Sequence, residues 1–152
     1  MKTKKLILLP LLAASLLVLP DAASAAAMKE VIATKEAPAA VGPYSQAVRS
    51  GNLVFVAGQL PINPKTGQLN TGTDEEQTAQ VLENIKAILA ADGMTVDNVV
   101  STTVFVRDLN NFAKLNAVYG NYLKDKPPAR ATLQAARLPR DVAIEISAIA
   151  VK

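Results

Sequence analysis

The chain of 152 residues contains no cysteine and no histidine. Without cysteine it has no disulfide, no thiol nucleophile and no thiolate metal site. Without histidine it has no imidazole base, which removes every Ser-His and Cys-His arrangement. A zinc or iron site would have to be built from carboxylates alone, and no clustered Asp/Glu spacing points to one. Tryptophan is also absent and aromatics make up only 4% of the chain, with no Lys/Arg run interleaved with them. A dedicated nucleic-acid surface is therefore not expected. Any chemistry has to come from Arg, Lys, Glu, Asp, Tyr, Ser, Thr, backbone groups and water.

The N-terminal stretch stands apart from the rest. Lys2, Lys4 and Lys5 are followed by an apolar run over residues 6–19 and then by Ala23-Ser24-Ala25, a small-x-small pattern. This has the three-part form of a secretory signal peptide over residues 1–25, and it is shorter than the ~20 apolar residues of a membrane anchor. Its removal would leave 13 basic and 12 acidic side chains, a net charge of +1. The expectation is a periplasmic or secreted protein, with no stable membrane association after cleavage. Residues 26–152 then form one domain, long enough for a real core but not for two.

Within that domain, residues 31–33 read as an edge strand. Two prolines and a glycine make residues 37–46 a non-helical loop ending near Tyr44, which by composition reads as a surface tyrosine rather than a site residue. Residues 47–49 and 53–57 are strands around a tight turn. Gly58 follows the second, where a ligand or another backbone can approach closely. Thr73 and Glu76 make a capping box for a helix whose apolar face is Val81, Leu82, Ile85, Ile88 and Leu89, stopping at Gly93. Residues 99–106 are the richest strand signal. Asp108 is expected to cap a second helix through Phe112, Leu115, Val118, Tyr119 and Tyr122, with Asn116 in its middle.

Two alternating runs close the chain, residues 129–135 and 142–151, and read as a hairpin turning at Pro139-Arg140. That register sets Gln134 opposite Glu145 and Thr132 opposite Ser147. Arg130, Thr132, Gln134, Glu145 and Ser147 then share one polar face, with Arg130 and Glu145 about 13 Å apart along the strands. The expected class is α+β, two helices on one face of a mixed six-stranded sheet. The opposite sheet face, partly apolar and uncovered, argues for self-association.

Gly42-Pro43-Tyr44-Ser45-Gln46-Ala47, Ala57-Gly58-Gln59-Leu60-Pro61, Asn111-Phe112-Ala113-Lys114-Leu115-Asn116 and, above all, Pro128-Ala129-Arg130 through Ile144-Glu145-Ile146 resemble the RidA/YjgF family of reactive-intermediate deaminases. The resemblance runs from about Val31 to Lys152. It implies a chorismate-mutase-like subunit in a homotrimer, with sites in clefts between subunits. It implies hydrolysis of 2-imino or 2-enamino acids to 2-keto acids and ammonia, with neither cofactor nor metal. By the same resemblance Arg130 holds the substrate carboxylate and Glu145 positions or activates water, these two being the catalytic pair. Tyr44 and Asn116 line the cleft, and Gly58 and Thr132 offer backbone groups. Many relatives carry cysteine where Thr132 stands. A trimer that only binds small carboxylates, or acts as a holdase chaperone, is the alternative.

Overall fold

The computed structural model describes residues 28–152. The expected signal peptide, residues 1–25, lies outside the described residues. Six strands and two helices follow in the order β1 (Lys29–Ile32), β2 (Ala47–Ser50), β3 (Leu53–Gln59), α1 (Asp74–Ala91), β4 (Val99–Val106), α2 (Phe112–Tyr122), β5 (Ala129–Gln134) and β6 (Ile144–Val151). They form a single mixed sheet in the order β1-β2-β3-β6-β4-β5, with every neighbouring pair antiparallel except β4 and β5. This is the α+β architecture expected from the pattern of elements.

Helix α1 starts as its sequence dictates. Thr73 Oγ1 accepts from the Glu76 amide at 3.2 Å, and the Thr73 amide donates to the Glu76 carboxylate at 2.8 Å. Two of the four unpartnered N-terminal amides are satisfied this way, and three acidic residues face the positive end of the helix dipole. The helix ends where Gly93, at φ +71°, takes a left-handed turn that a side chain would resist. Val81, Leu82, Ile85, Ile88 and Leu89 are all buried. They pack on Val54 and Val56 of β3, Val104 and Val106 of β4, and Ile144, Ile146, Ala148 and Ala150 of β6. Asp108 does not cap α2 itself. It accepts from the Asn110 amide and caps a 3-10 turn, Leu109–Asn111, that leads into the helix.

The expected hairpin is not formed. β5 runs parallel to β4, with Arg130 beside Thr102 and Leu133 beside Phe105. β6 lies on the other side of β4 and is also hydrogen-bonded to β3. A parallel pair needs a crossover rather than a tight turn, and α2 is that crossover. The link from β5 to β6 then has to pass around the end of β4. It is tied there by hydrogen bonds from the Ala135 amide to the Val106 carbonyl and from the Arg107 amide to the Ala143 carbonyl. Arg140 and Asp141 take φ values of 60° and 59° to make the bend.

The faces change with the topology. Thr102, Val104 and Val106 look towards the helices, so their partners Arg130, Thr132 and Gln134 do too. Phe105 and Thr103 look towards the uncovered face, and so do their β6 partners Glu145 and Ser147. The single polar face proposed from the alternation is therefore split across the two sides of the sheet. The uncovered face carries Val31, Leu53, Phe55 and Leu133, all exposed.

Ile146, fully buried in the central strand β6, provides a test of this core. Truncation to Ala leaves a cavity between the sheet and α1. Ile146→Ala is expected to lower the unfolding free energy by about 2–5 kcal/mol in denaturant titrations.

Candidate active site

Three of the sequence-derived candidates sit together on the helix side of the β5 edge. Arg130 donates through Nη2 to Asn116 Oδ1 at 2.8 Å. Its guanidinium carbon stands 4.5 Å from the Tyr119 ring centroid and 5.5 Å from that of Phe112. Thr132 lies two residues along β5 on the same face and shares a small niche with Arg130, Phe112 and Asn116. Beside it opens a cavity of about 330 Å³ lined by Asn116, Tyr119, Gly120, Leu123, Pro128 and Arg130. Arg130 itself is exposed and forms no salt bridge with a described carboxylate. Among the described residues its side-chain hydrogen-bond partner is a neutral amide, so its charge is open to an anion.

The other three candidates gather on the uncovered face. β3 has an irregular register between Val56 and Gln59, and Gly58 sits in that bulge. A Cβ placed on Gly58 would lie 2.0 Å from Glu145 Oε1. Only glycine lets the carboxylate lie against the backbone of β3. Glu145 is half-buried, and burial, with no offsetting charge nearby, pushes its carboxyl up from the ordinary range. Tyr44, half-exposed, closes the end of the Pro-Gly loop, and its hydroxyl accepts from the Val41 amide at 3.3 Å. With Lys29, Pro43, Val48, Phe55 and Ala57 it lines a cavity of about 560 Å³.

In one subunit these two groups do not meet. The sheet stands between them, and Glu145 and Arg130 are separated by two inter-strand spacings and three residues of register, about 14 Å at the backbone. One group presents a cation with an open fork, the other a carboxylate in a partly dry hollow. Among the described residues no three His, Cys, Asp or Glu side chains cluster as metal ligands would.

From sequence, Tyr119 and Phe112 are only members of an apolar helix face. Their role beside Arg130 was encoded in the spacing of Phe112, Asn116 and Tyr119, which at i, i+4 and i+7 share one side of a helix. What the sequence could not disclose was that β5 lies under that side.

Residues 34–152 match the family model described as endoribonuclease L-PSP. The chain belongs to the RidA/YjgF/L-PSP family. A RutC family protein of Pyrococcus horikoshii is 54% identical over 125 residues, which span 82% of this chain and 99% of that protein. The 2-iminobutanoate/2-iminopropanoate deaminase of Escherichia coli is 49% identical over 128 residues, again 82% of this chain and 99% of the relative. The crystal structure of the E. coli YjgF gene product superposes with a TM-score of 0.78 at 49% identity, covering 81% of this chain and 98% of that one. That of E. coli TdcF with bound serine gives 0.78 at 44% identity over the same shares. The family assignment accords with the sheet order and the two-helix layer described above.

The pH dependence of Glu145 follows from its burial. A carboxyl raised in the fold stabilises it while protonated; that contribution is complete below the ordinary glutamate value and is lost as pH rises through the native one. Glu145→Gln, a neutral mimic, is expected to melt higher than wild type at pH 7. The gain should vanish below about pH 4 in thermal melts across pH.

Proposed function

We propose that the protein hydrolyses 2-imino acids, and the 2-enamino acids that tautomerise to them, to 2-keto acids and ammonia. The observation that carries this reading is the pair of complementary half-sites on opposite faces of one sheet. A second copy docked on the uncovered apolar face would bring its own Arg130 edge towards Glu145, Gly58 and Tyr44 of the first. A closed ring of three copies forms three such sites, which supports a homotrimer. The imine deaminase named among the relatives supports the reaction class.

The chemistry suits the residues. Arg130 presents a planar fork of donors that matches a carboxylate bidentately. The protonated imine carbon is already electrophilic, so water needs orientation and a place for its proton. Glu145 accepts a proton as water adds to that carbon, giving a carbinolamine. The proton then passes to the nitrogen, the C–N bond breaks and ammonia leaves. The carbinolamine hydroxyl gives its proton to Glu145, which hands it to the departing ammonia, and the keto group forms. A carboxyl whose burial raises its pKa towards neutrality is better matched to this two-way transfer than an ordinary one. Neither histidine nor thiol is required.

The lysine-led apolar stretch over residues 2–25 supports export. Protein recovered from the periplasm is expected to begin near residue 26 on N-terminal sequencing. Recovery of the protein only from the cytoplasmic fraction, with its leader intact, would refute export. Binding of small carboxylates without turnover is the second reading, favoured by the relative solved with bound serine.

Shared sites make a specific prediction. Arg130→Ala and Glu145→Ala, each assembled alone, should lose about 30-fold or more in kcat/KM on an imino acid generated in situ. When the two variants are unfolded and refolded together, half of the subunits offer an intact arginine and half an intact glutamate. Activity should return to about a quarter of wild type. Undiminished turnover by either variant alone would remove it from the catalytic pair, and a mixture as inactive as its parents would exclude a site shared between subunits.

A further inference from the structure

The arginine read above as the carboxylate binder is poorly placed to be rigid. β5 is an edge strand and Arg130 is exposed on it. A free arginine samples many rotamers and surrenders that freedom when it binds. Yet this guanidinium is seated from beneath. Tyr119 lies 4.5 Å under it, Phe112 flanks it at 5.5 Å, and Asn116 takes one of its Nη2 hydrogens. The ring is itself held. Tyr119 is only 7% exposed, and its hydroxyl meets Thr102 Oγ1 at 2.7 Å in the buried layer between α2 and the sheet. Thr102 is also the residue beside Arg130 in the β4–β5 ladder. Strand, helix and arginine are thus joined in a closed loop of contacts.

Resting on the reading of Arg130 as the carboxylate binder, we infer that Tyr119, pinned by Thr102 and assisted by Phe112, is a positioning residue that holds the Arg130 guanidinium in its anion-receiving orientation before substrate arrives. Stacking occupies one flat face of the guanidinium, and Asn116 occupies a single donor. Of the five N–H donors of an arginine, the rest stay free as a planar fork open to a carboxylate. The electron-rich face of the ring attracts the cation without neutralising it. Burial pushes the Tyr119 phenol up, outweighing the opposite influences of Thr102 and Arg130, so no tyrosinate competes with the substrate for the arginine at neutral pH.

Calorimetric titration of the mature assembly with 2-oxobutanoate tests this, alongside imino-acid turnover. Tyr119→Leu is expected to weaken 2-oxobutanoate binding roughly 3- to 30-fold, and to raise KM while kcat is little changed. Tyr119→Phe, which keeps the ring but loses its hydroxyl contact with Thr102, should weaken binding less than Tyr119→Leu does. In an Arg130→Ala background the Leu change should cost nothing further, because the ring acts only through the guanidinium. Should burial of Tyr119 make the Leu variant misfold, Phe112→Leu serves instead: that ring is 38% exposed, and the same pattern is expected with a smaller loss. The inference is overturned if the folded Tyr119→Leu variant, or Phe112→Leu in its place, binds as wild type while Arg130→Ala has lost binding. It is equally overturned if the loss is as large without Arg130 as with it. Wild-type affinity in Arg130→Ala would instead defeat the carboxylate-binding reading on which the inference stands.

Discussion

Insertion of β6 between β3 and β4 governs the rest of the molecule. A strand hydrogen-bonded on both edges has no choice of register, and its alternation commits Ile144, Ile146, Ala148 and Ala150 to the helices. Glu145 and Ser147 must then face the other way. The same placement pushes β5 to the sheet edge, where it pairs only with β4. Arg130 is left at the rim, and the helix that made the crossover becomes its support.

From this arrangement comes the division of the candidate site. A sheet is an efficient separator: side chains on its two faces cannot meet around a small molecule without another chain. Here one face ends in an available cation and the other holds a carboxylate raised by burial against Gly58. Around the carboxylate lies apolar surface that no helix covers. This arrangement suits a chain with neither histidine nor cysteine, because an imine asks for orientation and modest proton transfer rather than a strong nucleophile.

Local signals are legible wherever local physics decides the outcome. The Thr73–Glu76 box, the apolar face of α1 and the stop at Gly93 depend on residues within a few positions of each other. Those features were legible, as was the count of strands and helices. Asp108 marked the entry to α2 but caps a 3-10 turn ahead of it, a difference of one turn that capping chemistry does not resolve. The hairpin failed for a different reason. Alternation shows that a run is a strand, but it carries no information about which strand lies beside it. Adjacent strands in sequence were paired because that is the commoner arrangement. The β4–α2–β5 crossover overrode it, and the presumed common face of Arg130 and Glu145 went with it.

The family motifs, the chemistry ruled out by the missing side chains and the identity of Arg130, Glu145, Tyr44, Gly58, Asn116 and Thr132 as candidates were all contained in the order of residues. The grouping of those candidates into two sets, and the aromatic seat formed by Phe112 and Tyr119, belong to the tertiary structure alone. Contacts between residues far apart in the chain depend on strand order, and strand order is set by the packing of the whole sheet against its helices. No single stretch of sequence contains it.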